Sequence, residues 1–129
     1  MIDIKRKCAL ITGSSRGVGQ QIAIGLAQRG CNVILHSRTE NGCDRTKELL
    51  SEYGVDVRVV FGEISEEKGV RQVIEQVNDL GVDVDILYNN AAIMTEYRDD
   101  IWQHTWEDWM ETMKVNVFAL YTLCGAFVP

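Results

Sequence analysis

The segment Thr12-Gly13-Ser14-Ser15-Arg16-Gly17-Val18-Gly19 puts three glycines between an apolar run and a helix-forming stretch. Glycine answers two needs at such a junction: a backbone at positive φ, and an approach to the backbone unobstructed by a Cβ. The helix that follows adds free N–H groups and the positive end of its dipole, so the loop has the chemistry of a phosphate cradle. Spacing narrows the choice of phosphate. A nucleoside-triphosphate loop needs Gly-Lys-Ser/Thr after four intervening residues, and Val18-Gly19-Gln20 stands here instead. The common dinucleotide pattern G-x-G-x-x-G also fails, because counting from Gly17 puts Ile22 at the third glycine. On a purely structural reading the same glycines would only make a tight strand-to-helix turn.

Four short apolar runs, Cys8 to Thr12, Val33 to His36, Val57 to Phe61 and Val84 to Tyr88, must position this loop. Interrupted only by Arg58 and Asp85 and rich in Val, Ile and Leu, they suit strands of a parallel sheet buried on both faces. Helical stretches separate them. The first is predicted over Arg16 to Arg29 with Gly30 as its stop, and the second over Cys43 to Tyr53 with Gly54 as its stop. Ser65 is expected to cap a third helix, whose apolar stripe is Val70, Val73, Ile74 and Val77. Thr105 with Asp108 resembles a capping box, and the helix it opens is predicted to run to the end of the chain. The alternation implies right-handed crossovers and an α/β fold, a doubly wound parallel sheet of Rossmann type with strand order 3-2-1-4.

Composition excludes other classes. The 129 residues are 46% hydrophobic and 25% charged, ordinary globular usage, so a packed core is expected. A net charge of -6 argues against a nucleic-acid partner, which would call for a basic stripe. Six basic side chains against Asp3 alone give residues 1 to 38 a charge of +5 and leave −11 for the remainder. Cys8, Cys31, Cys43 and Cys124 form no metal-binding or C-x-x-C spacing, and no apolar run approaches the ~18 residues of a membrane span. A soluble, cytoplasmic chain without metal is expected. The one proline is Pro129, the last residue, whereas a natural domain uses several in its loops. The expectation is a sheet cut short after its fourth strand and the helix that follows.

Three motifs in order carry a resemblance: the glycine segment at residues 12 to 19, Asn89-Asn90-Ala91-Ala92 after the fourth strand, and Asn116 within Lys114-Val115-Asn116-Val117. Together they resemble the N-terminal half of a short-chain dehydrogenase/reductase, collinearly from about Lys7 onward. The resemblance implies a nicotinamide dinucleotide held by Gly13, Ser14, Ser15, Arg16, Gly17, Val18 and Gly19. It also implies a base-binding position at Glu63-Ile64, where the family has Asp-Val, and a ribose contact from Asn90, with Asn89 bonding neighbouring backbone. An NAD enzyme places Asp or Glu at the end of the second strand, and Ser37-Arg38 stands here. Arg38 and Arg16 would meet the 2′-phosphate of NADP(H), which is therefore preferred to NAD(H), although Glu40 lies two residues on. Ala92 replaces a family glycine and requires a negative φ.

The family moves hydride between the nicotinamide and a small-molecule carbonyl or alcohol with Asn, Ser, Tyr and Lys, and Asn116 matches the first of these. Tyr53, Tyr88, Tyr97 and Tyr121 are followed four residues on by Val57, Ala92, Ile101 and Gly125, so no Tyr-x-x-x-Lys occurs. These residues alone are predicted to be inactive, and a homo-oligomer is expected. A non-catalytic dinucleotide-binding module or redox sensor is the alternative. His36 and His104 read as lone strand-end and loop residues. Trp102, Trp106 and Trp109, with Met110 and Met113, read as core.

Overall fold

A computed structural model describes residues 2–129. Four parallel strands form one sheet in the order β3-β2-β1-β4: β1 Cys8–Ile11, β2 Asn32–Ser37, β3 Val57–Phe61 and β4 Ile86–Tyr88. The helices are α1 Gly17–Ala27, α2 Asp44–Leu50, α3 Glu67–Asp79, α4 Trp106–Met113 and α5 Leu120–Phe127. The expected Rossmann-type sheet and its strand order are observed.

The sheet is two-sided because its strands alternate between two apolar clusters. Leu10, Ile34 and Val60 point to the face covered by Val70, Val73 and Val77 of α3 and by Leu123 of α5. Ala9, Ile11, Val33 and Leu35 point to the other, covered by Ala23 and Ala27 of α1 and by Leu50 of α2. This period of two within a continuously apolar run is what burial on both faces requires. β1 and β2 align Leu10 with Ile34, and β2 and β3 align Leu35 with Val59; β2 and β3 end together at Ser37 and Phe61, two residues beyond the end of β1.

Several details differ from the sequence reading: α1 spans Gly17–Ala27 rather than Arg16 to Arg29, and α2 ends at Leu50, with a 3-10 turn over Ser51–Tyr53. The fourth strand starts two residues late, at Ile86, because the Asp85 carboxylate turns back to accept from Cys8 N at 2.9 Å and from Lys7 Nζ at 2.9 Å. Ser65 does not cap α3. Its own N–H donates to Glu63 Oε1 at 3.1 Å, and the cap position falls to Glu66, whose side chain makes no capping bond. The last helix is continuous only through a π-helical turn, Lys114–Ala119, between α4 and α5. The Thr105–Asp108 capping box is present as read.

The tryptophans overturn their reading as core. Trp102 is 86% exposed, Trp106 76% and Trp109 58%, while the buried positions of the terminal helix are Val115, Ala119 and Leu123. Helical spacing identified a stripe, but the sheet faces a different one. Ala92 is at negative φ, since Arg6 is the one non-glycine residue at positive φ among those described. All four cysteines are unpaired thiols, and burial raises Cys8 to about 11.

β4 hydrogen-bonds to β1 on one side only, and its Tyr88 is 41% exposed. An unpaired edge beside exposed aromatic surface favours association. Sedimentation of these 129 residues is expected to show a mass that rises with concentration; a monodisperse monomer throughout would contradict this.

Candidate functional site

The carboxyl ends of the strands open onto a cleft of about 990 Å³. Its wall includes Gly13, Ser15, Arg16 and Gly17 from the turn after β1, and His36, Ser37 and Arg38 from the end of β2. Glu63 and Ile64 after β3 and Asn90 after β4 complete it. A second cavity, of about 310 Å³, lies near the other ends of the strands, beside Arg6, Cys8, Asn32 and Asp56.

The glycine turn works by closeness. Gly13 and Gly17 have φ of 63° and 58°, values an L side chain rarely adopts. At Gly17, which lines the cleft, a Cβ would meet nothing within 4 Å, so the backbone there is open. Gly19 has a different reason. A Cβ there would strike the Gly13 carbonyl oxygen and lie 2.6 Å from Asn90 Nδ2, so only glycine lets the start of α1 meet the end of β1.

The ends of β1, β2 and β4 each contribute a side chain that holds this turn, and the end of β3 contributes a backbone carbonyl. Asn90 Nδ2 donates to the carbonyls of Thr12 at 3.0 Å and Gly13 at 3.1 Å. The Thr12 hydroxyl bonds the Tyr88 carbonyl at 3.3 Å and accepts from Ala91 N at 3.0 Å. His36 Nδ1 accepts the Gly13 N–H at 3.1 Å, while Nε2 lies 3.0 Å from the Gly62 carbonyl. One ring nitrogen thus faces a donor and the other an acceptor, which selects the neutral ring with its proton on Nε2. Ser14 is buried: its hydroxyl donates to Ile11 O at 2.9 Å and its N–H to His36 O at 2.9 Å.

The sequence-derived residues therefore divide. Gly13, Ser15, Arg16, Gly17, Arg38, Glu63, Ile64 and Asn90 come together on one wall, with Arg16 and Arg38 exposed. Ser14, Val18 and Gly19 lie outside that wall; Val18 is 70% exposed, and the other two are buried behind it. Glu40 is also outside the wall. Glu63 turns its carboxylate to Ser65 N. Asn89 does not bond neighbouring backbone: its Nδ2 lies 3.4 Å from Cys124 Sγ, and its Oδ1 is buried without a partner.

Asn116 sits in the π-helical turn, a geometry that recurs at functional sites within helices. Both ends of its amide are engaged by one residue, Oδ1 accepting from Ile93 N at 2.9 Å and Nδ2 donating to Ile93 O at 2.8 Å. The side chain thereby ties the loop after β4 to the terminal helix, and Ile93 and the neighbouring Val115 line the cleft. Sequence reasoning missed His36 as part of this site. The available signal was a histidine at the last turn of an otherwise apolar strand, immediately before Ser37-Arg38.

Burial holds the His36 pKa below its ordinary value, outweighing the Gly62 bond and the Glu63 charge, both of which raise it. The unfolded chain takes up this proton near pH ~6.5 and the folded chain resists it, so below that pH the unfolded state binds more protons. The stability contributed by neutral His36 is therefore present above pH ~6.5 and lost as pH falls through the lowered folded value. Denaturant titrations from about pH 7.5 down to about pH 5.5 are expected to show this loss with a slope of at most roughly 1.4 kcal/mol per pH unit. His36→Asn, which retains an acceptor but does not titrate, is expected to flatten that slope.

The comparisons with known proteins agree with this geometry. The family described as short chain dehydrogenase matches residues 7–129. The rhamnolipids biosynthesis 3-oxoacyl-[acyl-carrier-protein] reductase of Pseudomonas aeruginosa is 32% identical over 123 residues, covering 95% of this chain and 47% of that protein. Among solved structures, L-sorbose reductase from Gluconobacter frateurii, complexed with NADPH and L-sorbose, superposes with a TM-score of 0.89. It is 33% identical, over 99% of this chain and 49% of that one. A 3-oxoacyl (acyl-carrier-protein) reductase from Agrobacterium tumefaciens with NADP bound superposes at 0.88, with 28% identity, over 98% of this chain and 48% of that one. The chain spans about half the length of the relatives it matches. With the glycine turn, the Asn89-Asn90 segment and Asn116 all inside the matched region, the chain belongs to the short-chain dehydrogenase family.

Proposed function

We propose that this chain forms the NADP(H)-binding part of an oxidoreductase that moves hydride between a nicotinamide and a small-molecule carbonyl or alcohol. The observation that carries the reading is the cleft wall, where a bare glycine turn and two arginines stand at the carboxyl ends of a parallel sheet. Ligands of open α/β sheets bind in that position.

The residues present fit a dinucleotide. The Ser15 and Arg16 N–H groups make no hydrogen bond among the described residues, and with the open space at Gly17 they suit a pyrophosphate. Arg38 and Arg16 give guanidinium groups for a 2′-phosphate, and no carboxylate from β2 competes with them at the wall. Ile64 offers an apolar side for the adenine. The dinucleotide, when bound, supplies the hydride donor or acceptor. NADP and NADPH in the two solved relatives support the choice of NADP(H) over NAD(H).

Asn116, the one residue here that matches the family's catalytic set, acts in this reading by holding Ile93 in the cleft wall. An acid/base tyrosine paired with lysine is not among the 129 residues, so they bind the dinucleotide without turning substrate over. Unpaired thiols fit a reducing, cytoplasmic setting.

Calorimetry is expected to show NADPH binding at least about tenfold more tightly than NADH, the worth of a charge-assisted contact to phosphate, and Arg38→Asp reversing that order. Equal affinities for the two dinucleotides in both proteins would overturn the role of Arg38. Oxidation of NADPH by the chain alone, followed by its absorbance in the presence of a panel of small ketones, is expected to be absent; turnover would contradict the reading.

A further inference from the structure

We propose that Thr46, on α2, is a positioning residue for the phosphate-binding turn: it sets the direction of the Ser15 and Arg16 N–H groups without itself facing the cleft. This role rests on the dinucleotide reading above. Thr46 is fully buried against the turn and is not part of the cleft wall.

Its one hydroxyl hydrogen is shared between two carbonyls of the turn, Ser14 O at 2.9 Å and Ser15 O at 3.1 Å. The hydroxyl oxygen accepts from Gln20 Nε2 of α1 at 2.9 Å, and the same Nε2 lies 3.4 Å from Ser15 O. Thr46 and Gln20 therefore hold two consecutive carbonyls toward α2. A trans peptide carries its N–H antiparallel to its C=O, and the described chain has no cis bond. Holding the Ser14 carbonyl back thus aims the Ser15 N–H away from α2, and holding the Ser15 carbonyl back does the same for the Arg16 N–H. Ser15 and Arg16 both line the cleft.

The neighbouring donors are already committed. His36 takes the Gly13 N–H on its ring and the Ser14 N–H on its carbonyl. The turn is therefore clamped at two points with different outcomes: His36 consumes two donors, and Thr46 frees the next two by occupying their carbonyl partners. Replacing the hydroxyl by a methyl leaves the Ser14 carbonyl facing a buried apolar group and the Ser15 carbonyl with only the 3.4 Å contact from Gln20 Nε2. A buried acceptor without a donor is costly, so the peptide planes rotate to find another, and the N–H groups leave the cleft with them.

Calorimetry on the full chain tests this with two ligands. NADPH contains the pyrophosphate; adenosine 2′-monophosphate carries only the phosphate that Arg38 and Arg16 meet. Thr46→Val is expected to weaken NADPH by about tenfold, the loss of one or two hydrogen bonds, and adenosine 2′-monophosphate by less than about twofold. Thr46→Ser, which restores the hydroxyl, is expected to return NADPH binding to within about twofold of the parent. Should Thr46→Val fail to melt cooperatively, Gln20→Met removes the supporting donor and reads the same difference between ligands. Equal weakening of both ligands, or no rescue by serine, overturns the positioning role. If the parent binds NADPH and Thr46→Val binds it equally well, the Thr46 assignment alone fails; if the parent binds neither NADPH nor NADH, the dinucleotide reading fails and this role with it.

Discussion

The chain leaves β1 and enters α1 through a turn in which backbone meets backbone, and the rest of the site is arranged around that contact. Gly19 has no room for a Cβ against the Gly13 carbonyl and Asn90 Nδ2. Close packing of this kind brings the start of α1 directly over the end of the strand. It also exposes a segment of polar backbone that needs partners, because a turn held so tightly cannot rearrange to reach water on every side. The partners come from every neighbouring element: Asn90 from the loop after β4, His36 from β2, Thr46 from α2 and Gln20 from α1. Each lies far from the turn in sequence or on a different element, so the turn has its shape only once the sheet is assembled.

This dependence gives His36 a place that its isolation in the sequence conceals. A strand-end histidine is ordinarily a polar residue reaching solvent. Here the ring is buried and joins the ends of three strands, accepting from Gly13 and donating to Gly62. Neutrality is a geometric requirement: a proton on Nδ1 would confront the Gly13 N–H. Burial depresses the pKa, and it does so against the Gly62 bond, which favours the charged ring.

Charge and aromatic surface separate on the molecule. Arg16 and Arg38, two of the six basic residues in the first 38, reach the cleft, while Lys7 pairs with Asp85 beneath β1 and Arg29 folds back to the Gly25 carbonyl. The basic bias of the N-terminal third therefore has local destinations. Trp102, Trp106 and Trp109 lie on the outer side of the terminal helix region, where one turn opens to π geometry around Asn116. That turn inserts the extra residue per turn that separates the register of α4 from that of α5. The misread tryptophans all precede that turn, on α4 or before it, whereas the buried Val115, Ala119 and Leu123 lie within it or beyond it.

What the sequence determined by itself was what local chemistry and periodicity encode. Continuous Val/Ile/Leu runs separated by helical stretches specify a parallel two-sided sheet, glycines at positions 13, 17 and 19 specify the strand-to-helix turn, and Thr105 with Asp108 specifies a helix start. These signals depend on neighbours within a few residues, so they are legible without the fold. The ordered motifs also place Arg16, Arg38, Glu63, Ile64 and Asn90, because the crossover topology brings successive strand ends to one edge of the sheet. Only tertiary structure decided which polar side chains hold the turn and which face the cleft. Thr46 is one threonine in a short polar helix, Ser14 is one serine of a pair, and nothing adjacent to either marks its role. Their functions follow from which carbonyls and N–H groups three-dimensional packing brings within about 3 Å, a distance at which direction, set by the planar peptide, decides whether a donor is used up or left free.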